Sequence, residues 1–454
     1  MTEIKNNLKE PPVFFRWIVL IFISLGMFGN YYVYDSISPL ADVLKSQLGF
    51  SDSNIGLLNA IYSFPNIIMV LIGGLIIDRI GTKKSSLIFV LLVLLGAFIT
   101  VLKGNIYTMA AGRLIFGLGA ESMIVAITTV IARWFRGKEL SFAFGLNLTI
   151  ARLGSFLALN SPSWGKDLYI NWQNPLWISV GAGVIALICL IMYYFIDNYA
   201  EKNFALQKEG SQDKIVLKDI FNFGKSFWFI TFLCITFYSA MFPFQTFAVK
   251  FFQEVHNTTR EAGGFLSSML TFAAMVFTPL FGLLVDKIGK RSLLMMFGSL
   301  LIIPVYIMMG YKIDIAGFLG LAQMVHIKIG ILSIDSLVPT NLLIPMSIMG
   351  LAFSLIPAVM WPSVVLVVEQ SKLGTAYGLM TMIQNIGLFG FNVLIGWAND
   401  YSGASLSNPN GYHLGMLIFS LLGFFGLFFA LMLRINEKSS KAHGLEYGSI
   451  HKKD

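Results

Sequence analysis

The chain has 454 residues, of which 56% are hydrophobic and 12% are charged, and its mean hydropathy is +0.73. Because a soluble domain is typically about 25% charged, this composition excludes an ordinary soluble protein and predicts a polytopic membrane protein. The net charge of +8 is explained by basic loops on one side of the membrane, and we expect no binding to nucleic acid.

Apolar segments of about 20 to 25 residues follow one another along the chain, and each is long enough to cross a hydrocarbon core of about 30 Å as a helix. Helices are expected because an open sheet edge cannot exist in lipid. The predicted spans are Trp17–Asp35, Asn54–Ile77, Ser86–Val101, Tyr107–Ile131, Phe142–Leu159, Leu176–Ile196, Phe227–Val249, Gly264–Val285, Leu293–Gly310, Leu342–Val368, Ala376–Trp397 and Leu414–Leu433. We therefore predict an all-α polytopic membrane protein with twelve transmembrane helices in two pseudo-symmetric six-helix bundles.

The longest polar connector on the inner side, residues 198–225, is rich in Glu, Gln, Lys and Asp and divides the twelve spans into two sets of six. We expect the following domains: an N-terminal tail at 1–16, a six-helix bundle at 17–197, a linker at 198–225, a second bundle at 226–434 with an extracytoplasmic insertion at about 311–341, and a C-terminal tail at 435–454.

Basic residues are concentrated on one side of the predicted membrane. With the N-terminus inside, the inner tails and loops hold 23 of the 32 Lys and Arg residues and the outer loops hold 7. This bias predicts that both termini are cytoplasmic. The first apolar run is a full span, which favours an uncleaved N-terminus, and both cysteines, Cys189 and Cys234, fall inside spans.

The two remaining basic residues, Arg113 and Arg152, lie inside predicted spans, together with Glu121. One charge at the centre of a membrane helix costs about 2.5 to 3.5 kcal/mol, so each is a candidate functional residue. Arg113, Gly117 and Glu121 are spaced at i, i+4 and i+8 and share a helix face, while Arg152 is midway along the next span. Arg offers a planar fork to a carboxylate and Glu offers acceptors to an ammonium. We expect a polar cavity that binds a small molecule carrying both charges.

A loop pattern after the second span is repeated after the eighth. The first copy contains Gly74, Asp78, Arg79, Gly81, Lys83 and Lys84, and the second contains Gly282, Asp286, Lys287, Gly289, Lys290 and Arg291. Gly permits a tight turn and Asp can cap a helix N-terminus, so we expect these loops to hold an inner gate closed. The alternative is that their basic residues only satisfy the positive-inside bias. Two copies at corresponding positions favour parallel six-span repeats, a recurring transporter architecture.

The doubled loop, the twelve spans and the central linker resemble the major facilitator superfamily, and Gly112-Arg113 to Gly117 looks like its span 4 pattern. Within it the chain is most similar to the lysosomal dipeptide transporter branch. The residues that carry this resemblance are YVYD at 32–35 with Ser38-Pro39, YSFPN at 62–66, GAES at 119–122, WFRGKEL at 134–140, FGL at 144–146, ARLGS at 151–155, LGTAYGL at 373–379 and IQN at 383–385. The resemblance implies that Glu121 and Arg152 hold the peptide. Neither tail carries an acidic dileucine signal, and we expect a plasma or bacterial inner membrane protein.

These observations predict a secondary transporter that moves dipeptides or similar zwitterionic amino-acid compounds by alternating access, as a uniporter or coupled to protons. We expect a monomer in the lipid bilayer, without cofactor or metal, and not an enzyme, because no nucleophile–base arrangement is present. Further candidates for substrate binding are Tyr31, Tyr34, Asp35, Tyr238, Phe242, Gln245, Trp361, Gln384 and Asn385.

Alternative roles for these residues are compatible with the sequence. Arg113 could brace the N-terminal half, Glu121 could neutralise Arg113 or Arg152, and Asp35 could be an outer gate, a proton site or a solvated helix end. The aromatic candidates could be ordinary packing residues. A transporter of organic anions, such as monocarboxylates or sugar acids, would suit Arg152 equally, although Glu121 would repel the substrate. A receptor that kept the fold without transport is a further alternative.

Overall fold

The structure is a computed structural model that describes residues 11–135, 139–204, 223–330, 333–440 and 443–446. Several predicted segments fall partly outside these ranges. Residues 1–10 of the predicted N-terminal tail, 205–222 of the predicted linker, and 441–442 and 447–454 of the predicted C-terminal tail lie outside the described residues, as do 136–138 of the WFRGKEL pattern.

Helices account for nearly all of the described chain. They are α1 Val13–Asp35, α2 Ala41–Leu48, α3 Asp52–Ile80, α4 Thr82–Leu102, α5 Ile106–Phe135, α6 Leu140–Leu159, α7 Ser161–Trp164, α8 Gln173–Asn203, α9 Lys225–His256, α10 Arg260–Ile288, α11 Arg291–Gly310, α12 Ile315–Phe318, α13 Thr340–Val367, α14 Leu373–Tyr401 and α15 His413–Ser440. Each predicted span coincides with one of the twelve long helices to within a few residues, apart from longer extensions at some ends.

Eleven of the helices in the described chain are long and apolar enough to cross a membrane unaided. The twelfth, α3, is bent by 57° between its segments Asp52–Met69 and Ile72–Ile80 and qualifies when the two segments are counted as one span. The predicted all-α polytopic fold with twelve spans is therefore confirmed.

The predicted insertion at 311–341 contains a folded β-hairpin. Strands β1 Met324–Ile329 and β2 Ile334–Pro339 pair antiparallel, with Met324 opposite Pro339 and Ile329 opposite Ile334. The Asp314 carboxylate ties the segment together, because it accepts hydrogen bonds from the side chains of Gln323 (2.9 Å) and Asn341 (3.0 Å) and from a backbone N–H. These bonds hold the pKa of Asp314 below its usual value.

The chain forms two compact units that differ from a simple division into halves. Unit 1 contains the described residues of 1–36, 64–158 and 176–212, and unit 2 contains those of 37–63, 159–175 and 213–454. The N-terminal part of α3, with α2 and α7, therefore belongs to the same unit as α9 to α15.

Aromatic side chains fill the core of unit 2. The Phe244 ring packs edge-on against Tyr306, Phe251 and Phe419, with ring centroids 5.4 to 6.2 Å apart, a separation at which aromatic pairs attract beyond the burial of their area. The buried hydroxyl of Tyr306 donates a hydrogen bond of 2.5 Å to the carbonyl of Ala240 and joins α11 to α9.

Candidate substrate-binding site

Opposite charges lie close together around one tyrosine in unit 1. The guanidinium carbon of Arg152, on α6, lies 5.0 Å from the centre of the Tyr31 ring on α1. The charges of Arg152, Glu121 and Asp35 all act on the Tyr31 hydroxyl. Arg152 on α6 therefore lies against Tyr31 on α1, and the charges of Glu121 on α5 and Asp35 on α1 are near enough to act on the same phenol. Such a cluster can bind a molecule with an amine and a carboxylate.

Glycines allow α5 to approach α4 closely and α6 to approach α1 closely. Gly112 and Gly119 lie on the face of α5 that presses against α4, where a Cβ would collide with Thr100 and with the carbonyl of Phe89. On α6, a Cβ at Gly154 would collide with the carbonyl of Phe28 on α1. Because Gly154 is two residues after Arg152, its close contact with α1 brings Arg152 to the level of Tyr31.

The Arg113 side chain is turned towards the end of α1. It is 1% exposed, and its guanidinium donates hydrogen bonds to the carbonyl oxygens of Val33 (3.1 Å) and Tyr34 (3.2 Å). Its guanidinium carbon also lies 5.0 Å from the Phe116 ring centre and 5.8 Å from that of Tyr34. These carbonyls belong to the last turn of α1, which has no intrahelical donors for them. Arg113 therefore caps α1.

Asp35 is the last residue of α1 and is 7% exposed. Both Arg152 and Arg113 act electrostatically on its carboxylate, and the nearby Tyr34 hydroxyl experiences the charges of Asp35, Arg113, Glu121 and Arg152. A buried carboxylate among arginines is different from a helix end in water. Asp35 and Tyr34 thus belong to the same charged cluster as Tyr31.

A second group of candidates lies in unit 2 and is mainly aromatic. The Trp361 indole nitrogen donates a hydrogen bond of 2.9 Å to the Tyr238 hydroxyl, and the Tyr238 ring stacks on Phe242 with centroids 5.7 Å apart. Tyr377, which lies in the LGTAYGL pattern but is not among the predicted binding residues, stacks on Trp361 at 5.9 Å and donates a hydrogen bond to its carbonyl. Trp361, Phe242 and Tyr377 are only half-buried.

The amide candidates of unit 2 differ from one another. Asn385 is buried, and its amide nitrogen donates to the Thr381 carbonyl (3.0 Å) while its side-chain oxygen has no partner among the described residues. The Gln384 side chain is half-buried and lies 3.8 Å from the Cys234 sulfur. Gln245 is buried, and its amide nitrogen donates to the Ser267 carbonyl at 3.4 Å. This contact favours a packing role for Gln245 over the binding role that remains open for Asn385 and Gln384.

Both copies of the repeated loop turn at their second glycine. Gly81 has φ +81° and Gly289 has φ +69°, and each N–H donates to the carbonyl four residues earlier, Ile77 at 2.9 Å and Val285 at 2.8 Å. A positive φ favours Gly over residues with a Cβ. In the second copy Arg291 pairs with Asp286 at 2.9 Å. Of the other motif residues, Gly74 is buried, Gly282 is half-buried, and Asp78, Arg79, Lys84 and Lys287 are exposed.

The first copy is held by residues that hydropathy places in loops and at span ends. Asp197, near the end of α8, is 0% exposed and binds Arg133 (3.1 Å), Lys83 (3.4 Å) and the Trp134 indole (2.8 Å). Glu201 binds the same two basic residues. The sequence signal is a pair of carboxylates one helical turn apart at the inner end of a span, opposite basic residues of two other inner ends.

The second copy is held by the C-terminal tail. The N–H groups of Lys290 and Arg291 donate to the carbonyls of Glu446 (3.2 Å) and Leu445 (3.0 Å), and Leu445 is fully buried. The hydroxyl of Ser292 also bonds the Glu446 carboxylate. No sequence pattern indicated this contact, because the tail has no hydrophobic periodicity.

Comparison with known proteins decides the family. The model of the Major Facilitator Superfamily matches residues 23–343, which is more than half of the chain. The chain belongs to the Major Facilitator Superfamily. Membership confirms the prediction of a multi-pass membrane transporter rather than an enzyme.

Particular members of the superfamily resemble this chain to different degrees. The lysosomal dipeptide transporter MFSD1 of Danio rerio is 31% identical over 401 residues, which cover 86% of this chain and 81% of that protein. The probable sulfoacetate transporter SauU of Cupriavidus necator is 22% identical over 61% of this chain and 66% of that protein. The solved structure of the nucleoside transporter NupG matches with a TM-score of 0.69 at 13% identity, over 92% of this chain and 98% of that one, and shows the shared fold. The predicted similarity to the dipeptide branch of the superfamily is confirmed.

Proposed function

We propose that this transporter moves dipeptides, or similarly small zwitterionic amino-acid compounds, across the membrane by alternating access. The observation that carries the proposal is the cluster of Arg152, Glu121 and Asp35 around the Tyr31 hydroxyl. A free dipeptide has one ammonium and one carboxylate. The similarity to MFSD1, whose name describes dipeptide transport, supports the same substrate class.

In this proposal Arg152 binds the substrate carboxylate and Glu121 binds its ammonium. Residues are about 3.3 to 3.6 Å long in an extended chain, so one or two residues separate the two termini by a distance that neighbouring helices can span. Asp35, at the end of α1, adds a second acceptor for the ammonium or a proton. Tyr31 and Tyr34 orient both charges through their hydroxyls.

Unit 2 contributes its own candidates for contact with the substrate. We propose that the half-buried rings of Phe242 and Trp361, with Tyr238 behind them, form an apolar binding surface within unit 2. The side-chain oxygen of Asn385, which has no hydrogen-bond partner in the described part of the chain, and the amide of Gln384 are proposed to bind polar groups. Aromatic surfaces tolerate many side chains, which suits a transporter of varied peptides.

We propose that the protein acts as a monomer in a plasma or bacterial inner membrane with both termini in the cytoplasm. The positive-inside bias supports this orientation. Transport would run as uniport, or with protons when Glu121 or Asp35 takes part in proton binding.

The test is uptake of a labelled dipeptide by proteoliposomes, with competing analogues that lack one terminal charge. We expect Arg152→Ala to weaken binding by about 30-fold to 150-fold, because a charge-assisted bidentate pair worth about 2 to 3 kcal/mol is lost. Glu121→Gln should weaken binding less, since an amide oxygen still accepts from the ammonium.

The analogues show which terminus each residue binds. An N-acetylated dipeptide should compete poorly with the wild type but nearly as well as the free peptide in Glu121→Gln. An amidated dipeptide should behave the same way with Arg152→Ala. This is a double-mutant cycle between protein and ligand. Equal competition by free and blocked peptides in the wild type would refute the assignment.

Organic anions are the second candidate substrate class. The similarity to SauU, a probable sulfoacetate transporter, favours them. They would use Arg152 and leave Glu121 without an ammonium. Competition by sulfoacetate or a sugar acid, with none by dialanine, would support this candidate and exclude the first.

A further inference from the structure

Two oppositely charged side chains are fully buried in unit 2, on the side of the membrane that is predicted to be extracytoplasmic. Lys250, in the C-terminal part of α9, is 0% exposed, and Asp52, the first residue of α3, is 1% exposed. The Lys250 ammonium lies 2.5 Å from Oδ1 of Asp52. Hydropathy alone places Lys250 in an outer loop and Asp52 before the second span.

The pair belongs to a larger network that joins three helices, α2, α3 and α9, and the residue before α15. The Lys250 ammonium is 3.5 Å from the Glu254 carboxylate, which accepts a hydrogen bond of 2.6 Å from the Tyr412 hydroxyl just before α15. Lys45 on α2 approaches Asp52 at 3.8 Å. Asp52 thus lies between two basic groups, Lys250 and Lys45, and Glu254 is a second acidic partner of Lys250.

The backbone of α3 is fixed at the same point. The N–H groups of Asp52 and Ser53 donate to the two carboxylate oxygens of Asp400, at the end of α14, at 2.9 and 2.8 Å. This is a helix N-cap supplied by another helix. Glycines let the helices touch here, since a Cβ at Gly396 would collide with the carbonyl of Asp52. The first turn of α3 is therefore clamped between α9 and α14.

A purely structural pair would be a poor choice for this position. A buried ion pair is often no more stabilising than apolar residues of similar volume, because both charges lose their hydration. Asp52 also keeps one buried carboxylate oxygen, Oδ2, without a hydrogen-bond partner among the described residues. Both charges would regain water on separation. An ion pair of this kind is suited to opening and closing.

The rest of α3 belongs to unit 1, from Phe64 onwards, and α3 is bent by 57° between Met69 and Ile72. We propose that Asp52 and Lys250 form a charge lock that closes the predicted extracytoplasmic end, and that this ion pair breaks in each transport cycle. The lock holds the first turn of α3 on α9 and α14. It requires alternating access but does not depend on which substrate is carried.

The test uses a cysteine reporter that is buried while the lock is closed. Ser38, before α2, is 4% exposed, and its hydroxyl bonds the Gln245 carbonyl on α9. Ser38→Cys is introduced after the buried Cys189 and Cys234 are replaced by alanine. The rate of reaction with a maleimide is measured on purified protein in nanodiscs, without substrate.

The lock variant is Asp52→Asn with Lys250→Met, which removes both charges of the lock together, so that neither is left buried without the other. The single variant Asp52→Asn, which retains Glu254 beside Lys250, is the second variant if the double one fails to fold. We expect labelling to be about tenfold faster, since a change of about 1.4 kcal/mol in the opening equilibrium is tenfold in population.

The matched control is the Asp42–Arg260 pair, which lies in the same unit at 2.5 Å but is about a quarter exposed. Asp42→Asn should leave labelling unchanged. Equal labelling in the wild type and the lock variants would overturn the lock, and so would equal acceleration by Asp42→Asn. A protein that shows the lock but carries no dipeptide would refute the proposed substrate alone.

Discussion

Replacing Arg113 should destabilise the protein without weakening its affinity for substrate. Its guanidinium donates hydrogen bonds to the carbonyls of Val33 and Tyr34, and its flat face lies near two aromatic rings. Each hydrogen bond from a charged donor contributes about 1.5 to 3 kcal/mol. In Arg113→Met both carbonyls lose this donor, at the buried end of α1.

The gross loss of about 3 to 6 kcal/mol is partly offset, because methionine no longer requires a charge to be taken out of water. We therefore expect a net loss of about 2 to 4 kcal/mol, which for a chain of 454 residues corresponds to a fall of about 2 to 4 °C in the melting temperature. The assay is thermal unfolding of purified protein followed by tryptophan fluorescence. Dipeptide affinity of the folded fraction, measured below the transition, should change less than threefold.

The matched control is Arg260→Met, since Arg260 pairs with Asp42 in a partly exposed position. An exposed pair contributes about 0 to 1 kcal/mol, so this variant should melt close to the wild type. An unchanged melting temperature in Arg113→Met, together with a tenfold loss of affinity, would refute the capping role and make Arg113 a ligand of the substrate.

Three further predictions concern the inner ends of the helices. Gly81→Ala should lower the free energy of unfolding by about 1 to 3 kcal/mol, because Gly81 has φ +81°. Gly282→Ala should be neutral, because Gly282 has open space around it. Equal melting temperatures of the two variants would contradict this prediction. Asp197→Asn leaves Arg133 and Lys83 without the buried carboxylate, so the free energy of unfolding should fall by about 3 to 5 kcal/mol. Asp286→Asn, at an exposed pair, should lower it by less than about 1 kcal/mol in the same assay. Leu445→Asp should release the C-terminal tail and speed hydrogen exchange at the amides of Lys290 and Arg291, and unchanged exchange would show that the tail does not hold this loop.

Hydropathy predicted the twelve helices well because each lipid-exposed segment must satisfy its own backbone and reach across the bilayer. It did not predict the hairpin at Met324–Pro339, whose alternating pattern is short and lies outside the membrane. It also placed the end of the seventh span at Val249, although α9 continues to His256. Local hydropathy predicts that a span ends where a lysine occurs. Lys250 nevertheless lies inside α9, because Asp52 neutralises its charge.

The candidate site also shows what local sequence patterns cannot predict. The sequence selected Arg113, Glu121 and Arg152 by one criterion, namely a charge inside an apolar segment. In the structure Arg152 lies at the Tyr31 ring and its charge, with that of Glu121, acts on the Tyr31 hydroxyl, whereas Arg113 is directed at backbone carbonyls. The spacing placed Arg113 and Glu121 on one helix face but could not show which neighbour each side chain meets.

A charged residue within a membrane helix can therefore have one of two roles, structural or ligand-binding, and its surroundings decide which. Where its partners are backbone carbonyls or a buried counter-ion, as for Arg113 and Lys250, those partners within the protein offset part of the cost of desolvation. Where charges of both signs gather around a polar hydroxyl, as they do near Tyr31, a ligand with complementary charges can replace part of the network. Because Asp52 is 198 residues away from Lys250 in the chain, only the tertiary structure can separate the two cases, and the variants of Arg152 and Arg113 are expected to differ for this reason.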